Sequence, residues 1–151
     1  MIEFEHLFDA QIEVSAKPYE VGATAKGQRR VIAIEGGTFE GPQIKGRILP
    51  GGADYQIIRS DGIAELDARY TIETDDGALI YVTNFGYRHG PPEIIARVAA
   101  GEEVAPNLYY FRSSPLFETA AEKYLWLNGL ICVATGARKA AAVELSVYQV
   151  L

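Results

Sequence analysis

Alternation with period two, cut by Asp-Gly pairs, is the feature that most restricts what this chain can fold into. From Phe4 to Val14 the even positions read Phe4, His6, Phe8, Ala10, Ile12 and Val14, while Glu5, Leu7, Asp9, Gln11 and Glu13 fall between them. Ile63–Glu73 repeats the pattern, with Ala64, Leu66, Ala68, Tyr70 and Ile72 on one side and Glu65, Asp67, Arg69 and Glu73 on the other. A helix cannot segregate residues in this way; a strand with two unlike faces does. Val143–Val150 is also extended in character, being rich in β-branched residues. Asp61-Gly62, Asp76-Gly77 and Asn128-Gly129 are the pairs that tight hairpins favour. Gly36-Gly37 reads as a bulge or bend inside a strand-like run. About ten extended runs result, near 4–14, 29–35, 38–40, 43–49, 54–59, 63–74, 78–87, 109–114, 130–136 and 142–150.

One segment departs from this pattern. Pro91-Pro92 opens Glu93–Ala100, with Ile94, Ile95 and Val98 at helical spacing and Gly101 beyond the end, so a short helix is expected there. Tyr124–Leu127 fits a helical turn or a strand entry, and Lys17–Gln28, with Pro18, Gly22 and Gly27, reads as a loop. An all-β chain of this kind closes into a barrel or stacks as a sandwich.

The 151 residues fit one domain, 1–151. A lone cysteine, Cys132, excludes an internal disulfide and reads as a buried, inert thiol; with only His6 and His89 beside it, neither a metal site nor a cofactor is expected. The net charge of −6 argues against a nucleic-acid partner. No apolar run is long enough for a membrane helix, and MIEFEHLFDA lacks the basic start of a signal peptide, so a cytoplasmic setting is expected.

If Asp61-Gly62 and Asp76-Gly77 are two-residue loops, the registers follow. Ile58 then faces Glu65, Gln56 faces Asp67, Asp54 faces Arg69, Arg69 faces Asn84 and Glu65 faces Arg88. Asp54, Gln56, Glu65, Asp67, Arg69, Asn84 and Arg88 would share one polar face, with Asp54 and Asp67 as diagonal neighbours. Tyr55, Ile57, Leu66, Ala68, Tyr70, Tyr81, Phe85 and Tyr87 would share the other. Either the polar face is solvated over an aromatic core, or it lines a barrel cavity and the aromatic face needs a cover.

The stretch GGTFEGPQIKGRILPGGADYQIIRSDGIAELDARYTIETDDGALIYVTNFG, together with YYFRSSPLFET and KYLWLNGLICVATG, resembles the bacterial and fungal family known as domain of unknown function 3237. The resemblance runs from about His6 to Val150. It implies a single antiparallel β-barrel, calycin-like, of about eight to ten strands with one short helix, and no established activity. Asp54, Asp67, Tyr81, Asn84, Arg112 and Trp126 lie in blocks similar to the family's recurrent ones.

The candidate catalytic residues are therefore Asp54 and Asp67, a carboxyl pair suited to acid–base work, and Arg112, suited to clamping a carboxylate or enolate. Tyr55, Tyr81, Asn84 and Trp126 are the candidate substrate-binding residues. The expected function is a small-molecule-binding barrel, acting as a cofactor-free isomerase, cyclase or lyase on a small apolar metabolite. The alternative is a non-catalytic binding or scaffold protein whose polar face is solvated. A homodimer is the expected cover for the aromatic face.

Overall fold

The computed structural model describes all residues, Met1–Leu151. Ten strands form in chain order: β1 (Phe4–Val14), β2 (Tyr19–Thr24), β3 (Gly27–Glu40), β4 (Lys45–Ile48), β5 (Ala53–Ile58), β6 (Ala64–Thr74), β7 (Leu79–His89), β8 (Tyr110–Glu118), β9 (Cys132–Arg138) and β10 (Ala142–Val150). One α-helix, α1 (Pro92–Ala99), follows β7.

All pairings are antiparallel, and they close on themselves. β10 pairs with β1 and β1 with β3, while β4 and β5 share the position between β3 and β6. An eight-stranded barrel results, with two strands in excess of it. β2 pairs with β3 alone, over Tyr19↔Val31 to Thr24↔Gly27. Closure removes the exposed edges that an open sheet would leave.

The strand content agrees with the alternation, and α1 sits within one residue of its expected place. β2 is a correction, because Lys17–Gln28 reads as a loop. Its residues are almost all exposed on both sides, so no apolar alternation marks it. Asn128-Gly129 is not a hairpin turn either. It ends a 3₁₀ segment, Glu122–Gly129, where the Asn128 amide bonds both the N–H (2.8 Å) and the C=O (2.9 Å) of Thr119.

The registers also need correction, by one residue in each hairpin. Arg59 N–H donates to Ile63 C=O at 2.9 Å, so the β5–β6 loop is three residues, Ser60–Gly62. Thr74 N–H donates to Ala78 C=O at 2.9 Å, so the β6–β7 loop is Asp75–Gly77. Gly62 and Gly77 each take φ +88°, the left-handed position that ends a three-residue hairpin loop and that only glycine adopts without strain. Asp-Gly occupies the second and third loop positions rather than the two central ones. Asp54 consequently pairs with Ala68, Ala68 with Asn84, and Ala64 with Arg88.

A slip of one residue reverses the face that every side chain takes relative to its partner strand. The single polar face inferred from two-residue loops therefore divides. Asp54, Gln56, Asn84 and Arg88 lie on the lumen side with Leu66, Ala68 and Tyr70. Glu65, Asp67 and Arg69 lie outside with Tyr55, Tyr81, Phe85 and Tyr87.

The lumen is packed at one end. Phe8 meets Phe39 at 5.3 Å and Phe117 at 5.9 Å between ring centroids, and Ile72, Ile80 and Leu127 are almost fully buried beside them. This end is sealed by the 3₁₀ segment. Asp76, in the β6–β7 loop, accepts from Thr74, from Lys123 Nζ at 3.0 Å and from Tyr124 Oη at 3.1 Å. These donors hold its carboxyl down to about 2. The other end, where α1 crosses, is open.

Candidate ligand site in the barrel lumen

Toward the open end the inward positions change character. Ile12, Val14, Ile32, Ile34, Leu66, Tyr70, Val143 and Leu145 form an apolar wall around a cavity of about 50 Å³. Into this wall β5 places Asp54 and Gln56, β7 places Asn84 and Arg88, β8 places Ser113, and β9 places Arg138. Each is on the inward parity of its strand, so the alternation that buries Leu66 or Val82 necessarily buries these polar groups as well.

Asp54 is held directly by two neighbours, and by Arg30 through the second of them. Its Oδ1 accepts the Asp67 N–H at 2.9 Å, where the β5–β6 ladder is interrupted at Tyr55 and Gln56. Its Oδ2 accepts from Gln56 Nε2 at 3.3 Å, and Gln56 Oε1 accepts from Arg30 Nε at 2.7 Å. Burial nevertheless dominates and pushes the Asp54 carboxyl above its ordinary value, against the lowering effect of the Asp67 N–H and of Arg88.

Asn84 Oδ1 and Ser113 Oγ are buried and have no hydrogen-bond partner. Native proteins leave few such atoms, because each forfeits the hydrogen bond it made to water.

A second, polar cavity of about 250 Å³ lies above the first, under α1, where Ile95 and Val98 line it. Arg88 and Arg138 line both cavities and form the neck between them. Arg30 and Lys139 reach the upper cavity. Burial, with the nearby Arg138, pushes the Arg88 guanidinium down to about 10, so it stays charged at neutral pH. Its Cζ lies over the Phe111 ring, 5.6 Å from the centroid.

Of the residues singled out from the sequence, Asp54 and Asn84 face this cavity. Asp67 lies outside, its side chain 40% exposed and paired with Arg69 at 3.4 Å; only its backbone N–H reaches Asp54. Arg112 lies outside as well, donating to Phe111 C=O at 2.8 Å and lying over Tyr110. Tyr55 and Tyr81 are exposed on the outer face. Trp126 sits on the 3₁₀ segment at the closed end, its Nε1 donating to Lys123 C=O at 3.1 Å. Sequence reasoning missed Arg30, Ser113 and Arg138. Arg30 shares the parity of Ile32 and Ile34, and Arg138 that of Cys132 and Ala134. A charge on an apolar parity was the available signal. No three His, Cys, Asp or Glu side chains group as a metal site.

The fold and the site together define a closed antiparallel β-barrel, sealed at one end and carrying a polar-lined cavity at the other. The model of the family described as protein of unknown function (DUF3237) matches residues 2–150, and the chain belongs to that family. A UPF0311 protein of Rhodopseudomonas palustris is 47% identical over 130 residues, 86% of this chain and 85% of the relative. The crystal structure of a conserved protein of unknown function from Rhodopseudomonas palustris superposes with a TM-score of 0.95 at 42% identity, covering 100% of this chain and 99% of the other. The hydroalkoxylation enzyme phnH of Penicillium herquei is 33% identical over 97 residues, 64% of this chain and 50% of that protein. The crystal structure of an enzyme from Penicillium herquei superposes with a TM-score of 0.74 at 25% identity, covering 99% of this chain and 95% of the other.

Proposed function

We propose that the lumen binds a small apolar molecule and moves a proton on it, with Asp54 as the acid–base group. The observation that carries this reading is the pair of unpartnered buried atoms, Asn84 Oδ1 and Ser113 Oγ, on the wall that also holds Asp54. An empty cavity suits apolar walls, whereas polar atoms left without partners suit a ligand that supplies them. A carboxyl that burial pushes above its ordinary value holds a proton more readily than a solvated one, as an acid–base group must.

The likeness to a hydroalkoxylation enzyme supports a cyclase form of this chemistry. Protonated Asp54 gives its proton to one alkene carbon. A hydroxyl oxygen of the same substrate bonds to the other carbon as the π bond is lost, and the hydroxyl proton returns to Asp54. The substrate is isomerised to a cyclic ether, no atom is gained or lost, and the carboxyl ends as it began. Asn84 Oδ1 and Ser113 Oγ are placed to bond other polar groups of the substrate and orient it, which leaves the proton of the reacting hydroxyl for Asp54.

The test is a panel of aryl-substituted hydroxy-alkenes, with and without a carboxylate, incubated in D₂O. Turnover is expected to place one deuterium on carbon in the cyclic ether, and Asp54→Asn to lower the rate by about 10²–10⁴-fold. Binding without turnover would mark a carrier instead. Equal rates for Asp54→Asn and the unsubstituted protein would remove Asp54 from the chemistry.

A further inference from the structure

The upper cavity and its neck carry four cations, Arg30, Arg88, Arg138 and Lys139, and no lining residue there is acidic. No carboxylate lies within 4.0 Å of Arg30, Arg88 or Arg138, although seven lysine or arginine ion pairs form elsewhere on the protein. Lys139 has only a long contact, 3.9 Å, to the exposed Glu103. The three arginines feel one another through space, and Asp54 is the acid that most offsets Arg88 and Arg138. All this belongs to a chain whose net charge is −6. Gathering like charges in a half-buried neck is costly, and chains place charges so only where something repays the cost.

The arginines are also held in place. Arg30 is fixed by Gln56, Arg138 Nη1 donates to Ala142 C=O at 3.1 Å, and Arg88 is braced on Phe111. Each keeps further N–H groups free, and guanidinium forks match the two oxygens of an oxyanion. Below them the walls are aliphatic.

We infer that the lumen takes an amphipathic ligand, an apolar body carrying an oxyanion headgroup (a carboxylate or a phosphate ester), whose headgroup sits between Arg88 and Arg138 while the body enters the apolar cavity. This specifies the substrate class for the site proposed above and rests on the lumen being a ligand site, not on the chemistry of Asp54. The headgroup fixes which end of the ligand points down, and so which atoms come within reach of Asp54 and Asn84.

Calorimetric titration with octanoate, octyl phosphate and octanamide tests it. At least one anion is expected to bind at least about tenfold more tightly than the neutral amide, from the value of a charged hydrogen bond. Arg88→Met and Arg138→Met, which keep the apolar stem, are expected to erase that preference by weakening anion binding to the level of octanamide, and their thermal melts report that the barrel is intact. Asp54→Asn is expected to keep or strengthen anion binding. Comparison of the two anions identifies the headgroup. Equal affinity for octanamide and both anions, or a preference that survives both arginine substitutions, would overturn the inference. Anion binding that is retained alongside a catalytically silent Asp54 would instead refute the acid–base reading and leave this one standing.

Discussion

Asp76 and Asp54 are two aspartates of one barrel, and they are treated in opposite ways. Asp76, at the sealed end, receives Thr74, Lys123 and Tyr124, and its carboxyl is held down to about 2. Asp54, in the lumen, receives one backbone N–H and one amide, and burial pushes it up. The sealed end has donors enough to hold its charge; the open end has cations that do not touch Asp54 and polar atoms that touch nothing. One end of the barrel uses polar groups to close the structure. The other leaves them available.

This contrast makes the two ends differ in what they tolerate. Leu127, 1% exposed, plugs the sealed end, and Leu127→Ala is expected to cost about 2–5 kcal/mol in chemical denaturation through the cavity it leaves. A smaller loss there would mean that the seal repacks.

Acid acts on the sealed end next. The Asp76 carboxyl is lowered in the folded state, so its contribution is present above the unfolded value of 3.8 and is lost as pH falls through about 2. Thermal melts of Asp76→Asn against the unsubstituted protein are expected to show a deficit at pH 5 that closes below pH 2. A deficit independent of pH would assign the effect to shape rather than charge.

Asp54 is expected to behave with the opposite sign. Its carboxyl is raised in the folded state, so the stability it contributes is present below the unfolded value of 3.8 and is lost as pH rises through its folded value. Asp54→Asn is therefore expected to melt higher than the unsubstituted protein at pH 8, and the gain is expected to shrink toward pH 4. A substitution that destabilises at every pH would show that Asp54 holds the barrel as Asp76 does, and the contrast would fail.

The smallest effect is expected at Ser113. Its hydroxyl has no partner to lose, so Ser113→Ala is expected to leave denaturation nearly unchanged. On the outside of the same wall, Tyr55, Phe85 and Tyr87 remain uncovered. We propose that a two-fold partner covers them, and light scattering at micromolar concentration is expected to give twice 16.5 kDa. A 16.5 kDa particle would leave that face without a partner.

The strands other than β2 were legible in their alternation or their β-branched content, and α1 because Pro91-Pro92 and Gly101 bracket it. Part of the lumen's polar set was legible too: Asp54, Gln56, Asn84 and Arg88 are polar residues on one parity of β5 and β7. Loop length was not. An Asp-Gly pair serves a two-residue loop and the last two positions of a three-residue loop equally well, and the sequence holds no mark that separates them. That ambiguity placed Asp67 beside Asp54, whereas its side chain is on the other side of the sheet. Arg112 was singled out by its chemistry and its block rather than by a register; next to the inward Phe111 and Ser113, it points outward. Arg30 and Arg138 are single charges on the inward parity of separate strands, and only closure of the barrel brings them to one neck.

The two hairpin loops also determine how this family can change. Surface loops ordinarily accept insertions freely. Here the number of residues in Ser60–Gly62 acts as a parity bit for β5. One residue more or fewer would turn Asp54 and Gln56 to solvent and bring Tyr55 and Ile57 inward, exchanging the chemistry of the cavity for that of the outer wall without altering a single strand residue. Insertions of two preserve the message; insertions of one rewrite it.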